Sequence, residues 1–286
     1  MSDLPYHIPV LLEESVEHLI KDPDGIYVDV TFGSGGHSRK ILEKLGANGR
    51  LIALDRDVDA LENKIDDDRF TLIYGNFQYL AKYLRTIDVH KVDGVLADLG
   101  VSSHQFDVPE RGFTFRAEAD LDMRMNIRAD KTAAYILNEY GEKTLVSLFS
   151  RFGEVRNSKT LAKKIVEARR RAPIETNSQF LPVMESCLIG DRARYFAQVY
   201  QALRIEVNEE MVALEQFLTQ CPTVIKSGGR LVVISYHSLE DRLVKMFINN
   251  GRLFKAVNKK IILPNEEEQR VNSRSRSAKE RVGEKI

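Results

Sequence analysis

Four short apolar runs alternate with helix-like segments over the first hundred residues of the chain. The runs cover residues 25–32, 50–54, 70–74 and 92–99. Between the first two, Ile41, Leu42 and Leu45 recur at helical spacing. Strands that alternate with helices are typical of βαβ units, so the sequence predicts an α/β fold with a mostly parallel sheet.

A fifth strand is expected only at residues 229–236, after the pair Gly228-Gly229. The long interval before it is predicted to be helical. The expected helices cover residues 132–148, 158–171, 179–188 and a single long amphipathic helix at 192–218, with breaks at Gly141, Gly153, Pro173 and Pro182. The predicted division is therefore a core at 1–104, an all-helical insertion at 105–190, and a second core part at 191–286 that ends in a basic tail.

The charge of the chain is balanced overall but uneven along its length. Hydrophobic residues make up 43% and charged residues 29%, which is typical of a folded globular protein, and the formal net charge is zero. Residues 151–171 nevertheless hold eight Lys and Arg against two Glu, and residues 270–286 hold six against two. Such clusters can bind RNA phosphates, although the alternative of solvated helix faces stays open.

Metal, disulfide and membrane chemistry are not expected. Cys187 and Cys221 are far apart and belong to no CxxC pair. The longest apolar stretches have the length of strands, and the first residues carry neither a basic nor an apolar signal region. We therefore expect a cytoplasmic protein without a structural metal.

A glycine-rich turn follows the first predicted strand, in the segment Asp29-Val-Thr-Phe-Gly-Ser-Gly-Gly-His-Ser38. Glycines allow close backbone approach to a nucleoside at the carboxyl edge of a parallel sheet. The dinucleotide fingerprint requires a third glycine where this chain has Ser38, which disfavours a nicotinamide dehydrogenase. An acidic residue ahead of the glycines, here Asp29, is typical of methyltransferases.

Three further residues lie at the end of a predicted strand or shortly after it, and they are candidates for a nucleoside site. Asp55 ends the second strand, where a carboxylate can accept hydrogen bonds from ribose hydroxyls; it could instead cap the next helix. Phe77 offers a ring for adenine stacking, or could be a core residue. Asp98 ends the fourth strand, where a methyl donor and its acceptor would meet; the alternative is that it caps the following turn.

Several motifs in order resemble one family along most of the chain. They are His7-Ile-Pro-Val-Leu-Leu12, Gly33-Ser-Gly-Gly-His-Ser38, Asp98-Leu-Gly-Val-Ser-Ser103, Arg111-Gly-Phe-Thr-Phe115, Leu121-Asp-Met-Arg-Met125 and Ser235-Tyr-His-Ser-Leu-Glu-Asp-Arg242. The sequence closely resembles the RsmH (MraW) family of 16S rRNA cytosine-N4 methyltransferases. It departs from the family pattern at Ser34, at His104, in the stretch Gly190-Asp-Arg-Ala-Arg194, and in a shorter tail.

The resemblance implies a class I methyltransferase core that binds S-adenosylmethionine and methylates a cytidine in the decoding region of the small ribosomal subunit. The residues that match the family's cofactor contacts are Gly35, Gly36, His37, Asp55, Phe77, Asp98 and Gln105. The expected partner is 16S rRNA or the small subunit, with neither DNA nor a membrane.

Asp98 is the first candidate for a catalytic role, since a carboxylate could hold the acceptor amine by accepting from its N–H. The other expected base or phosphate contacts are Asp122, Arg124, Ser235, Tyr236 and His237, and each could equally be structural. A stacked cytidine hides its amine, so we expect the target nucleotide to be flipped out while the basic insertion binds flanking phosphates.

Two other functions compete with this interpretation. A methyltransferase acting on a small molecule or a protein would not need clustered Arg and Lys. An RNA-binding factor that keeps the fold without turnover would not need an intact glycine turn together with Asp55 and Asp98.

Overall fold

The computed structural model describes residues 9–258 and 260–286, and the chain divides into two compact units. The first unit contains Met1–Gly100 and Met211–Ile286, and the second contains Val101–Glu210. The second unit therefore lies in sequence between two parts of the first, as an insertion does.

The first unit is built on a seven-stranded sheet with the order β3-β2-β1-β4-β5-β7-β6. The strands are β1 (Ile26–Asp29), β2 (Arg50–Asp55), β3 (Phe70–Tyr74), β4 (Val92–Asp98), β5 (Ile225–Ser235), β6 (Phe254–Ala256) and β7 (Lys279–Lys285). The first five strands pair in parallel, and β7 is antiparallel to both β5 and β6. This mostly parallel sheet confirms the predicted Rossmann-like methyltransferase fold.

Helices cover both faces of this sheet because successive side chains of a buried parallel strand point to opposite sides. The helices of the first unit are α1 (Leu12–Leu19), α2 (Gly36–Lys44), α3 (Leu80–Thr86), α10 (Glu210–Val224, beginning at the unit boundary), α11 (Ser238–Asn249) and α12 (Glu266–Val271). On one face Val28 packs with residues of α3, α10 and α11, and on the other Tyr27 packs with residues of α1 and α2. No helix in the described ranges is long and apolar enough to span a membrane.

The C-terminal segment is part of the sheet rather than only a basic tail. Strand β7 pairs with β5 from Arg230↔Glu284 to Ser235↔Lys279. Val282 and Glu280 in this strand are buried, at 3% and 0% exposure. The sequence did not indicate this strand because charged residues dominate the segment. Alternate residues of β7 nevertheless face the interior, while the rest face solvent.

The second unit is helical, as expected, around a core that includes Phe149, Leu161, Phe180 and Phe196. Its helices are α4 (Ser103–Asp107), α5 (Ala133–Glu139), α6 (Glu142–Gly153), α7 (Ser158–Arg169), α8 (Asn177–Glu185) and α9 (Arg192–Asn208). The predicted insertion at 105–190 stops short of this unit, because the buried face of α9 belongs to the same core.

The single helix expected at 192–218 is wrong. Helix α9 ends at Asn208, and Glu209 takes a left-handed backbone conformation with φ 51° before the next helix begins. The Asn208 side chain accepts from the backbone N–H of Met125 at 2.8 Å and donates to the carbonyl of Met123 at 2.7 Å. These contacts join the end of α9 to the segment at 123–125, which hydrophobic spacing cannot indicate.

The break expected at Pro182 is also wrong, because Pro182 lies inside α8. A proline removes one backbone donor from a helix, which usually disfavours it there. Here the helix is nine residues long and its start is fixed by Thr176, which forms a capping box with Gln179. The capping box and the burial of Phe180 therefore outweigh the lost hydrogen bond.

Candidate active site

The glycine turn after β1 has the backbone that the sequence predicted. Gly33 and Gly35 have positive φ angles of 53° and 80°, which non-glycine residues rarely adopt. Gly36, the first residue of α2, lies so close to the Pro9 ring that any Cβ would overlap it. The turn is therefore tightly constrained. The first two residues of the His7–Leu12 motif lie outside the described residues.

Asp29 stabilises this turn through hydrogen bonds to residues on either side of the glycines. Its side chain is 1% exposed, and it accepts from the Ser38 hydroxyl at 2.7 Å and from the backbone N–H of Thr31 at 3.1 Å. Burial raises the pKa of Asp29 to about 6, against the opposing hydrogen bonds. Thr31 and Ser38 were not among the predicted site residues, although both lie within the glycine-rich segment that the sequence singled out.

Asp55 does not cap the following helix. The cap of the 3₁₀ helix Val58–Asn63 is Asp57, whose side chain accepts from the backbone N–H of Asp59 at 3.2 Å. Asp55 instead accepts from the N–H of Gly33 at 2.7 Å and from that of Asp57 at 2.8 Å. Burial raises its pKa. A carboxylate has about four acceptor positions, so two remain for hydroxyl groups.

Phe77 has the properties of a core residue and also those of a residue that can stack on adenine. It packs edge-on against Phe217 of α10, with ring centroids 5.4 Å apart, and so contributes to the core. Its side chain is only partly buried, at the start of the 3₁₀ helix Phe77–Tyr79 after β3. The structure therefore leaves part of the ring available for stacking.

Asp98 ends β4 with its carboxylate partly exposed, at 23%. Its Oδ1 accepts from the Tyr236 hydroxyl at 2.8 Å, and its backbone N–H donates to the Thr31 hydroxyl at 2.7 Å. Burial raises the pKa of Asp98 to about 7; the Tyr236 hydrogen bond opposes this, and the nearby carboxyl of Asp29 adds to it. The cap of helix α4 is Ser102, so Asp98 does not have the capping role that was its alternative.

His37 lies beside Asp98 but is not hydrogen-bonded to it. The His37 Nδ1 is 3.8 Å from Asp98 Oδ2, which is too long for a hydrogen bond, and its Nε2 contacts the Val10 carbonyl at 3.1 Å. The imidazole is 6% exposed. The segment before α1 therefore fixes the ring that stands next to Asp98.

The three candidates at the end of β5 and directly after it have different roles. Ser235 is buried and donates from its hydroxyl to the Lys279 carbonyl at 3.3 Å. Tyr236 holds Asp98, and the large shift of its pKa above the ordinary value follows from burial and from that carboxylate. His237 caps α11 by accepting from the backbone N–H of Glu240 at 3.4 Å. Only Tyr236 contacts Asp98, which ends the neighbouring strand.

Gln105, Asp122 and Arg124 belong to the second unit, where each has a local structural contact. Gln105 completes the capping box of α4 with Ser102. Asp122 and Arg124 form a two-pronged ion pair at 2.8 and 2.6 Å, and Arg124 also donates to the carbonyls of Ile127 and Ala129. Their predicted contacts with cofactor or substrate stay predictions.

The glycine turn and the carboxyls of Asp29, Asp55 and Asp98 thus lie at the carboxyl ends of β1, β2 and β4. This arrangement is suited to a nucleoside with a reactive group near Asp98. The sequence matches the MraW methylase family over residues 5–286. The chain belongs to this family.

Relatives of this chain match its sequence along nearly its whole length. A ribosomal RNA small subunit methyltransferase H from Flavobacterium johnsoniae is 51% identical over 299 residues, which cover 99% of each chain. One of the same name from Cytophaga hutchinsonii is 52% identical over 298 residues, covering 98% of this chain and 99% of the relative.

Among solved structures, NSun6 from Pyrococcus horikoshii with SFG is similar to this chain with a TM-score of 0.50. The two are 13% identical, and the match covers 100% of this chain and 56% of the other. At that identity the likeness concerns the fold alone.

The protein is a methyltransferase, and its methyl donor is S-adenosylmethionine. The residues of the first unit fit this group. Gly33 and Gly35 hold the positive φ angles that the turn after β1 requires, Asp55 keeps acceptor positions for hydroxyls, and part of the Phe77 ring is exposed.

Proposed function

We propose that the protein methylates the exocyclic N4 amine of a specific cytidine in the decoding region of 16S rRNA, in the cytoplasm. The observation that carries this proposal is the state of Asp98. A partly exposed carboxylate at the end of β4, held through one oxygen by Tyr236, is suited to accept a hydrogen bond from an amine. The names of the relatives, which specify small-subunit ribosomal RNA, support the choice of RNA.

The chemistry requires little of the protein beyond alignment and charge. When bound, S-adenosylmethionine supplies a sulfonium methyl group that is already electrophilic. Tyr236 fixes the orientation of Asp98 through Oδ1, which directs Oδ2 to the amine N–H of the base. The carboxylate then stabilises the positive charge that develops on N4 and accepts a proton as the amine is alkylated.

The cofactor contacts that we assign to this chain are Gly35, Gly36, His37, Asp55, Phe77, Asp98 and Gln105. Asp55 would accept from ribose hydroxyls, and Phe77 would contact adenine. His37, enclosed beside Val10, would exclude water near Asp98. In the second unit, Arg156, Lys159, Lys163, Arg170 and Arg171 are exposed, and we assign them to the phosphates that flank the target.

The proposal is tested by mass spectrometry of ribosomal RNA nucleosides from cells with and without the gene. We expect N4-methylated cytidine in small-subunit RNA to disappear in the deletion and to return when the gene is restored. A restored gene that carries the Asp98→Asn substitution should not return it. Loss of a different modified nucleoside, or no loss, would contradict the choice of acceptor.

A further inference from the structure

A cleft of about 400 Å³ lies at the side of the first unit, between α11 and the segment that follows β6. Ile248 of α11 and Val282 of β7 form apolar parts of its wall. Its polar lining consists of Lys245, Asn249, Asn258, Lys260, Glu280 and Arg281. We call it the α11 cleft. Its volume falls in the range of small-ligand sites, and its lining combines an apolar wall with amide and cationic groups.

The accessible charge of the α11 cleft is positive. Arg281 donates to Asp241 at 2.6 Å, so its charge is compensated. Lys245 and Lys260 are exposed, and within residues 9–258 and 260–286 neither forms an ion pair. The one carboxyl of the lining, Glu280, is 0% exposed, accepts from the Ser15 hydroxyl and lies 3.1 Å from the His18 ring. Burial raises its pKa to about 7, so it carries only part of a negative charge near neutral pH.

One face of helix α11 continues this surface. Arg242, Lys245, Met246 and Asn249 recur at helical spacing and are all exposed, Met246 to 65%. The acidic residue of the same turn, Asp241, is instead engaged with Arg281 and Lys279. The exposed stripe therefore contains cations, an amide and a flexible apolar side chain, and no acid.

The strand register connects the α11 cleft to Asp98. Asp98 pairs with Ile234, Ile234 pairs with Glu280, and Glu280 forms a bridge with Ile262. These four residues form one row across the sheet, and three strand spacings of about 4.8 Å place Ile262 roughly 14 Å from Asp98. That span corresponds to only a few nucleotides of one RNA strand.

We propose that the α11 cleft binds the phosphate backbone of the rRNA strand next to the target nucleotide, with Lys245 and Lys260 as the phosphate contacts. This proposal rests on the proposed function, because it takes RNA as the substrate. Uncompensated cations beside an apolar wall favour a polyanion that also carries bases and sugars. The site is separate from the basic cluster of the second unit, so the RNA has two contact regions on the chain.

The test is the salt dependence of RNA binding, measured by fluorescence anisotropy with a labelled fragment of the small-subunit decoding region. Each phosphate contact contributes about 0.7–0.9 to the slope of log affinity against log salt. In the double variant Lys245→Gln, Lys260→Gln we expect the slope to fall by about 1.5. Thermal melting and S-adenosylmethionine affinity should match those of the unsubstituted protein, since both lysines are exposed.

The matched control is the double variant Lys44→Gln, Lys91→Gln. It removes the same charge near the amino ends of β2 and β4, at the sheet edge opposite Asp98. Its slope should stay within about 0.3 of the unsubstituted value. An equal fall in both variants would show that only net charge matters and would overturn the proposal.

Other outcomes separate this proposal from the function on which it rests. If the unsubstituted protein methylates rRNA but the cleft variant keeps its slope, the cleft proposal alone fails. If that unchanged slope is accompanied by saturable binding of free AMP that the variant loses, the cleft is a small-ligand site instead. If the unsubstituted protein neither binds nor methylates rRNA, both proposals fail.

Discussion

The polar residues of the two units are held in different ways. In the first unit, burial raises the pKa of the carboxyls of Asp29, Asp55 and Asp98, and no cationic side chain of the described residues is hydrogen-bonded to them. In the second unit, Asp122 and Arg124 neutralise each other. The Arg124 backbone N–H also donates to the Asp122 carboxylate, and the Arg124 side chain donates to the carbonyls of Ile127 and Ala129.

The difference indicates where the two kinds of function lie. A carboxyl whose charge is poorly compensated is costly to keep, and such groups concentrate where chemistry is performed. A fully paired ion pair contributes to local structure instead. We infer that the first unit carries the cofactor and the reaction, whereas the second contributes exposed cations around a conventional helical core.

The largest effect is expected at Asp98. Asp98→Asn keeps the size of the side chain but removes the charge, so methyl transfer in a single turnover should fall by roughly 10²-fold or more. S-adenosylmethionine affinity should change much less. A normal rate at saturating cofactor with lost cofactor binding would make Asp98 a binding residue only.

The pH profile separates these roles further. Because burial raises the pKa of Asp98 to about 7 and the active form is the carboxylate, kcat/KM should be low in acid and rise with pH through about 7. The Asp98→Asn variant should lose this rise. A rise that persists in the variant would assign the titration to another group.

The next largest effect is expected at Asp55. Asp55→Ala removes charge-assisted hydrogen bonds worth about 1.5–3 kcal/mol, which corresponds to a tenfold or greater loss in S-adenosylmethionine affinity by calorimetry. Asp57→Ala is the matched control, since it removes the neighbouring carboxylate, which caps the 3₁₀ helix. If both variants lose the same affinity for S-adenosylmethionine, the loss comes from a disturbed turn and not from a missing contact between Asp55 and the ribose.

A stability effect is expected in the second unit. Arg124→Gln breaks a partly exposed ion pair and two carbonyl contacts, so the free energy of unfolding should fall by about 1–2 kcal/mol, between the values for exposed and buried pairs. Arg116→Gln, at an exposed position, should leave stability unchanged. Unchanged stability with lost RNA methylation in Arg124→Gln would instead support the predicted substrate role.

The smallest effect concerns the arginines that end α7 and follow it. Arg169 donates to the Leu137 carbonyl at 2.7 Å, whereas Arg170 and Arg171 are exposed. Replacing Arg170 and Arg171 with Gln should lower the salt slope of RNA binding by about 1.5 at unchanged stability. Arg169→Gln should lower the melting temperature with less effect on the slope. The reverse result would contradict the division that we infer.

The sequence by itself determined the parallel strands and the strand ends at which the candidate site residues lie. Apolar runs and a glycine turn located β1 to β4, and position after a strand identified Asp55 and Asp98. This succeeds because hydrophobic periodicity and backbone conformation are local properties of a chain. The family resemblance added the reaction class, since motifs record chemistry that spacing alone does not.

Other features were decided only by the tertiary structure. The strand character of residues 279–285 depends on pairing with β5, and the end of α9 depends on the contact of Asn208 with Met123 and Met125. The Tyr236–Asp98 hydrogen bond joins residues 138 positions apart. Each of these depends on partners distant in sequence, and the free energy of such contacts overrides local preference, so the sequence pattern alone could not determine them.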